Sequence, residues 1–348
     1  MMDQQHKPIT VKPIGEVAAY LRNLIPPCIP EGYALKPRFS SVADEGDIRA
    51  GVVAFWEFLY LFCDKLTTDG HLYAKPRKNQ ADYPFIHNIT NLLVDMGYYG
   101  VLSQSGDALV IDNLPLCAPP KPKIPGSAQA ECQRFLSLCG FEFDGVEVKY
   151  PDNPLLLVGL KALSIADMEL RADKRYWGDN NLLRCDYRLL KSEESNMLDV
   201  LRDFLHPLPS DVQNFAVKLH QRYTGMGLTC VNTRLGEVSF AYANLGKSKK
   251  IPAARAIYQK RIYDFSYSSN NGFCLFVRAK KTEGYMDVIK TFHPLLQERI
   301  MHGYGCDRKR GEPCQTGCKG ILIPLDESVL VLADDIVAWL DEEMPKGK

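Results

Sequence analysis

Residues 262–279, IYDFSYSSNNGFCLFVRA, decide the fold class. Two runs rich in aromatic and β-branched residues, 262–267 and 273–279, flank Ser268-Ser269-Asn270-Asn271-Gly272. An Asn-Gly step accepts the positive φ that tight hairpin turns demand, so the spacing predicts an antiparallel strand pair. Working outward, residues 228–233 and 238–242 supply two further β-like runs. Helices are predicted over 211–223, with Ser210 as N-cap, and over 285–301. A last amphipathic helix over 328–340 turns Ile336, Trp339 and Leu340 inward. The expectation is a C-terminal four-stranded antiparallel sheet with helices on one face.

The N-terminal half reads differently. Residues 47–66 carry Val52, Phe55, Trp56, Phe58, Leu59 and Phe62, apolar over most of a helical circumference, and Thr68-Asp69-Gly70 is expected to end that helix. A second helix is predicted over 85–96, with Gly97 where a C-cap falls. Two short apolar runs then surround Ser105-Gly106-Asp107 as a hairpin. Helix, helix, hairpin is the outline of a winged helix. The Pro- and Gly-rich stretch 117–126 is the best linker candidate. Beyond it come a helix over 128–138, a strand pair around Asp144-Gly145 and an apolar helix over 154–170. The pattern of 86–111 thus recurs weakly. The chain is read as α+β, with a helical, winged-helix-like domain (1–120), a helical connecting region (127–205) and an α+β domain with a Cys-rich loop (206–348).

Composition bounds the function. The 348 residues are 46% hydrophobic and 24% charged, and Lys plus Arg equals Asp plus Glu at 42 each. Such a chain buries a core and carries no global field for nucleic acid or an anionic membrane. Residues 1–10 lack the apolar core of a secretory signal, and the apolar stretches 52–63 and 155–166 are too short to span a bilayer. The reading is a cytoplasmic protein with no membrane partner. Eight of the eleven cysteines are scattered singly, as buried thiols in a reducing compartment would be.

The other three fall within residues 306–318. Cys306, Cys314 and Cys318 stand at C-x7-C-x3-C spacing on a Gly-rich loop, with His302 upstream. Gly lets a backbone wrap an ion, and three thiolates with one imidazole are a structural zinc complement. Arg308, Lys309 and Arg310 would offset the thiolate charge. The same spacing also fits reduced thiols, a redox-active Cys314–Cys318 pair, or an iron–sulfur cluster completed by Cys230 or Cys274. No C-x2-C knuckle is present.

Tyr304-Gly-Cys306-Asp, Cys314-x3-Cys318-Lys-Gly, Pro324-Leu-Asp326 and the Trp339-Leu ending, with Gly159-Leu-Lys161-Ala and Leu183-Arg184-Cys185-Asp186-Tyr187 earlier, resemble a family of bacterial proteins marked by this C-terminal loop. The resemblance spans residues 45–340. It implies that the cysteine loop is a built feature, and it implies no activity.

Outside the loop, Arg184 and Cys185 place a thiol between cations and beside Asp186, a pattern for an activated cysteine or an anion grip. His220 and Tyr223 end one helix, where a His also suits the dipole. Arg278-Ala-Lys280-Lys281 and Lys247-Ser-Lys249-Lys250 are basic runs beside strands, suited to an acidic ligand or to plain solvation. The helix over 85–96 has Asp95 and no Lys or Arg, which makes nucleic acid an unlikely partner. The motifs G-x-G-x-x-G, P-loop, H-E-x-x-H, G-x-S-x-G and C-x-x-C are absent. The reading that remains is a ligand- or partner-binding, regulatory module for a small molecule or protein, with a structural metal or thiol loop. Its rivals are an enzyme using Arg184, Cys185 and His220, and a DNA-binding regulator acting through residues 70–115.

Overall fold

The computed structural model describes residues 13–73, 84–112, 126–172, 182–233, 238–245, 257, 260–268, 271–279, 282–302 and 320–344. The fold is α+β, with two antiparallel sheets. The chain divides into two compact units, Met1–Ser195 and Asn196–Lys348.

In the first unit, helices α1 (Ile14–Leu24), α2 (Glu45–Tyr73) and α3 (Pro84–Tyr99) precede a hairpin, β1 (Val101–Leu102) and β2 (Ala108–Val110). Helix α4 (Gly126–Leu138), a second hairpin of β3 (Glu142–Asp144) and β4 (Glu147–Lys149), and helix α5 (Leu155–Ala172) follow. Helix α5 packs on both α2 and α3. The α2–α5 crossing is backbone on backbone. A Cβ on Gly159 would lie 2.1 Å from the Gly51 carbonyl oxygen, and one on Gly51 would lie 2.4 Å from the Leu155 oxygen. The α3–α5 crossing is similarly close, because a Cβ on Gly97 would lie 2.3 Å from Ser164 Oγ. Around these contacts sits an aromatic core, with Phe58 edge-on to Phe141 at 5.3 Å and Phe62 edge-on to Phe135 at 5.5 Å. Each such pair adds about 0.5–1.5 kcal/mol beyond its area burial.

Lys161, a charge in the apolar first half of α5, has a structural use. Its Nζ donates to the Gly100 carbonyl at 2.6 Å and to that of Gly97 at 3.4 Å. These are carbonyls at the end of α3, where a helix has no internal donors left and a cation is favoured.

The second unit contains α6 (Met197–Leu205) and α7 (Ser210–Gly225), then strands β5 (Thr229–Thr233), β6 (Val238–Ala243), β7 (Arg261–Ser268) and β8 (Gly272–Arg278). Short helices α8 (Met286–Ile289) and α9 (Pro294–His302) lead towards strand β9 (Gly320–Pro324), and α10 (Ser328–Val331) and α11 (Ala333–Glu343) end the described chain. The sheet order is β5-β6-β7-β8-β9, antiparallel throughout. The hairpin expected from Asn271-Gly272 is present, with Ser268 opposite Gly272 and Gly272 at φ 64°.

Several expectations are corrected. The C-terminal sheet has five strands, because β9, a run of five residues, completes it beside β8. Gly70 lies inside α2 and does not end it, since it fits against Ile14 and Leu66, where α1 packs. Stretch 117–126 is no domain boundary. The hairpins on either side join into one sheet of order β1-β2-β4-β3, with Leu109 opposite Val148. The connecting region 127–205 is therefore part of the first unit as far as residue 195, and the division falls before α6 rather than at 205–206. The predicted 285–301 helix is two helices, with Pro294 opening the second, and the 328–340 helix breaks at Leu332.

Adding one methyl at the helix crossing tests its closeness. Gly159→Ala is expected to destabilise the protein by about 2 kcal/mol or more in denaturant unfolding, since overpacking costs about 1–3 kcal/mol. Gly46→Ala, where a Cβ meets nothing within 4 Å, should be neutral or stabilising. Equal effects would show that the helices separate freely.

Candidate functional site

The loci singled out in the sequence fall in different units. Arg184 and Cys185 lie in the first, and His220 and Tyr223 in the second. Cys185 is fully buried and sits at φ 47°, left-handed backbone that a non-glycine residue adopts at a cost of about 1–2 kcal/mol. Its thiol donates to the Val52 carbonyl at 3.7 Å. Burial, reinforced by Asp186, pushes the thiol well above its usual value. An activated nucleophile needs the opposite shift, so the burial of Cys185 does not favour an activated thiol. Arg184 is buried beside it, and Asp186 pairs with Arg188 at 3.1 Å with both side chains largely buried. The segment is a lock on α2.

The metal reading rested on His302, Cys306, Cys314 and Cys318. The three cysteines lie outside the described residues, as does the side chain of His302 at the end of α9. Among the described residues no group of three or more His, Cys, Asp or Glu is placed to hold a metal ion. No described helix is long and apolar enough to cross a membrane.

The five-stranded sheet brings chemistry together on both faces. Successive strand residues alternate between faces, so cross-strand register assigns each side chain. The first face carries Cys230, Tyr242 and Tyr263 in one row. Tyr242 and Tyr263 stack at 4.2 Å and 9°. Helix α7 lies on this row. The Tyr263 hydroxyl donates to the Leu219 carbonyl at 3.2 Å, and His220 Nδ1 sits 2.8 Å from the Tyr242 hydroxyl. Cys230 stands opposite Tyr242 across the β5–β6 pair. The Tyr223 ring packs edge-on to Tyr263 at 5.6 Å, and its hydroxyl donates to the Val337 carbonyl and to Asp341, which also binds Arg222. Burial, with Arg202 nearby, holds His220 below its usual range, so it is a neutral imidazole at pH 7. Burial pushes the Cys230 thiol up to about 12.

The second face is mostly buried, with an apolar cluster of Val231, Ala241 and Ala243 beside a set of polar side chains. Ser239, Ser266 and Cys274 form one cross-strand row, and the Ser266 hydroxyl lies 3.1 Å from the Cys274 sulfur. Asp264 and Phe276 form the next row, with Arg278 beyond. Arg261 joins them through a bulge. Residues three apart on a regular strand point to opposite faces, yet Arg261 and Asp264 form an ion pair with side chains 8% and 3% exposed. The register slips where Ala243 pairs Arg261 while Tyr242 pairs Tyr263, and the extra residue turns Arg261 over. Its guanidinium then lies 4.8 Å from the Phe276 ring centroid. Gly320 makes room for that ring, since a Cβ there would lie 1.8 Å from Phe276 Cζ.

Reasoning from sequence had singled out Arg278 within its basic run, and His220. It missed Arg261, Asp264, Tyr242 and Cys230 as neighbours. A bulge leaves no mark in a period-two pattern, and cross-strand partners are set by register. The Lys-Gly320 step was visible, but its reason, a flat aromatic ring beside β9, was not. No protein-family model, no curated protein and no solved structure matches the chain.

Two outcomes follow from this geometry. Asp264→Ala removes one side of a buried ion pair and is expected to cost about 3 kcal/mol or more. Lys290→Gln, in a pair whose side chains are 68% and 96% exposed, should leave stability unchanged. A small loss for Asp264→Ala in urea unfolding would contradict the buried pair. His220 binds its proton less readily folded than unfolded, so its contribution is present at high pH and is lost as pH falls through about 6.5. His220→Gln should flatten the wild-type decline in melting temperature between pH 7 and 5. A parallel decline in both proteins would show that His220 titrates normally.

Proposed function

We propose that this chain is a binding protein whose second unit receives a small polar ligand at the sheet face carrying Arg261, Asp264, Phe276 and Arg278. The bulge that turns Arg261 onto that face carries the reading. A strand gives up regular pairing there, and bulges of this kind re-aim side chains beside functional sites. Two guanidiniums, a carboxylate and a ring within one patch offer charge-assisted hydrogen bonds and a stacking surface, which fix the orientation of a polar ligand. The hydroxyl row of Ser239 and Ser266 borders the patch through Ala241, Asp264 and their strand neighbours.

Chemistry through Arg184, Cys185 and His220 has less support. The Cys185 thiol is buried and raised, so it is held protonated. A DNA-binding role for residues 70–115 also loses ground. Residues 89–97 of α3 are all buried, so that helix offers no basic face to a groove.

The test is to purify the full-length chain from cells, desalt it, denature it and identify released small molecules by mass spectrometry. One polar compound near one equivalent per chain is expected from the native protein. Arg278→Gln, losing a charge-assisted bond worth about 1.5–3 kcal/mol, should release at least about tenfold less. Arg202→Gln, away from this face, should match the native protein. Identical extracts from native and Arg278→Gln protein would overturn the reading, as would an extract with no stoichiometric compound.

A further inference from the structure

We infer that Tyr242 is a one-electron redox site, a phenol that passes its proton to His220 Nδ1 as it loses an electron to an oxidant, with Tyr263 and Tyr223 as the path from it to the surface. The site lies on the sheet face opposite the proposed ligand patch and does not depend on it. Taking one electron from a phenol makes its hydroxyl strongly acidic. A buried ring that kept the proton would become an unpaired buried cation, at high cost, so the proton must leave with the electron to a base already in contact.

His220 is that base. Its Nδ1 lies 2.8 Å from the Tyr242 hydroxyl, and the imidazole stands nearly perpendicular to the phenol at 80°. The phenol has a hydrogen to give, and a neutral imidazole has one lone pair to take it. Both side chains are buried, Tyr242 completely, which keeps water and other reactants from the ring. The neighbouring tyrosines are placed differently. Tyr263 gives its hydroxyl to the Leu219 carbonyl, which cannot take up a proton. Tyr223 and Tyr285 give theirs to the carboxylates of Asp341 and Glu343, about a hundredfold weaker than imidazole as bases.

The route for the electron follows ring contacts. Tyr242 stacks on Tyr263 at 4.2 Å and 9°, and Tyr263 meets Tyr223 edge-on at 5.6 Å. The Tyr223 hydroxyl ends on Asp341, which pairs with Arg222 and is 37% exposed. A buried phenol is thereby joined through two further rings to a solvent-facing ion pair. The step balances with a one-electron oxidant such as an oxidised metal complex. One electron leaves Tyr242 through Tyr263 and Tyr223 and reduces the oxidant by one. The Tyr242 O–H bond breaks, its proton forms the new N–H bond on His220 Nδ1, and a neutral tyrosyl radical faces an imidazolium. Re-reduction returns the proton along the same hydrogen bond.

The experiment illuminates the full-length chain at pH 7.5 with tris(bipyridine)ruthenium(II) and a cobalt(III) ammine as electron sink. Ruthenium(III) formed in the flash is the oxidant, and freeze-quench EPR follows tyrosyl radicals. Exposed Tyr98 and Tyr99 serve as ordinary phenols, whose radicals disappear quickly. A second population is expected in the native chain, persisting at least about tenfold longer, because its proton is held in place for recombination. Tyr242→Phe keeps the stacked ring and should abolish that population. His220→Gln keeps a hydrogen-bond acceptor but no base, and should shorten its lifetime by about tenfold or more. Tyr285→Phe, at a phenol outside the path, should leave it unchanged. Near-ultraviolet circular dichroism of each variant before the flash reports that the aromatic packing is intact. The inference is overturned if the native chain yields only the short-lived radicals, if the persistent population survives Tyr242→Phe, or if His220→Gln leaves its lifetime at the native value.

Discussion

Backbone touches backbone where α2 crosses α5, and the first unit is arranged around that contact. Gly51 and Gly159 each occupy the space a side chain on the other helix would need. With the two axes drawn together there, the large residues are displaced to either side. Phe58, Phe62, Phe135 and Phe141 fill the flank towards α4 and the second hairpin. Gly97 repeats the device at the α3–α5 crossing, and Lys161 then reaches the end of α3 because the helices are near enough for a four-carbon stem. Cys185 donates to a carbonyl of Val52, next in sequence to Gly51, so the strained segment is anchored at the same crossing.

In the second unit the corresponding constraint is parity. An antiparallel sheet sorts side chains into two faces, and here the sorting separates two chemistries. One face is built of tyrosines and phenylalanines under α6 and α7, with Phe204 of α6 4.9 Å from Phe240. The other gathers serines, a carboxylate and two arginines. A single irregularity between Tyr242 and Ala243 moves Arg261 from where strict alternation would put it. Without that slip the guanidinium would fall on the aromatic face, unpaired and costly, and Asp264 would have no cation beside it on its own strand.

Much of the fold was legible in the sequence because it rests on local signals. Asn271-Gly272 located the central hairpin, Asp144-Gly145 located another, and the apolar periodicity of 47–66 and 154–170 located the main helices. What failed was non-local. Gly70 looks like a stop signal until α1 packs against it. The proline-rich stretch looks like a boundary until the hairpins on either side are seen to pair. The fifth strand is a run of five residues with no turn signal of its own and with its partner far back in the chain. The candidate sites were harder still. His220 was noticed as a residue, yet its meaning lies in Tyr242, and Arg261 followed no rule that a period can reveal.

Strand β9 also has a bearing on how the second unit comes together in time. Its partner β8 lies some fifty residues earlier, Cys274 opposite Pro324, whereas β5 to β8 are joined in sequence order. Closing a longer loop costs more chain entropy before any contact rewards it. Loop closure therefore disfavours early pairing of β9 relative to the strands joined in sequence order. A nascent four-stranded sheet with β8 as an open edge would be the species most exposed to wrong partners during synthesis.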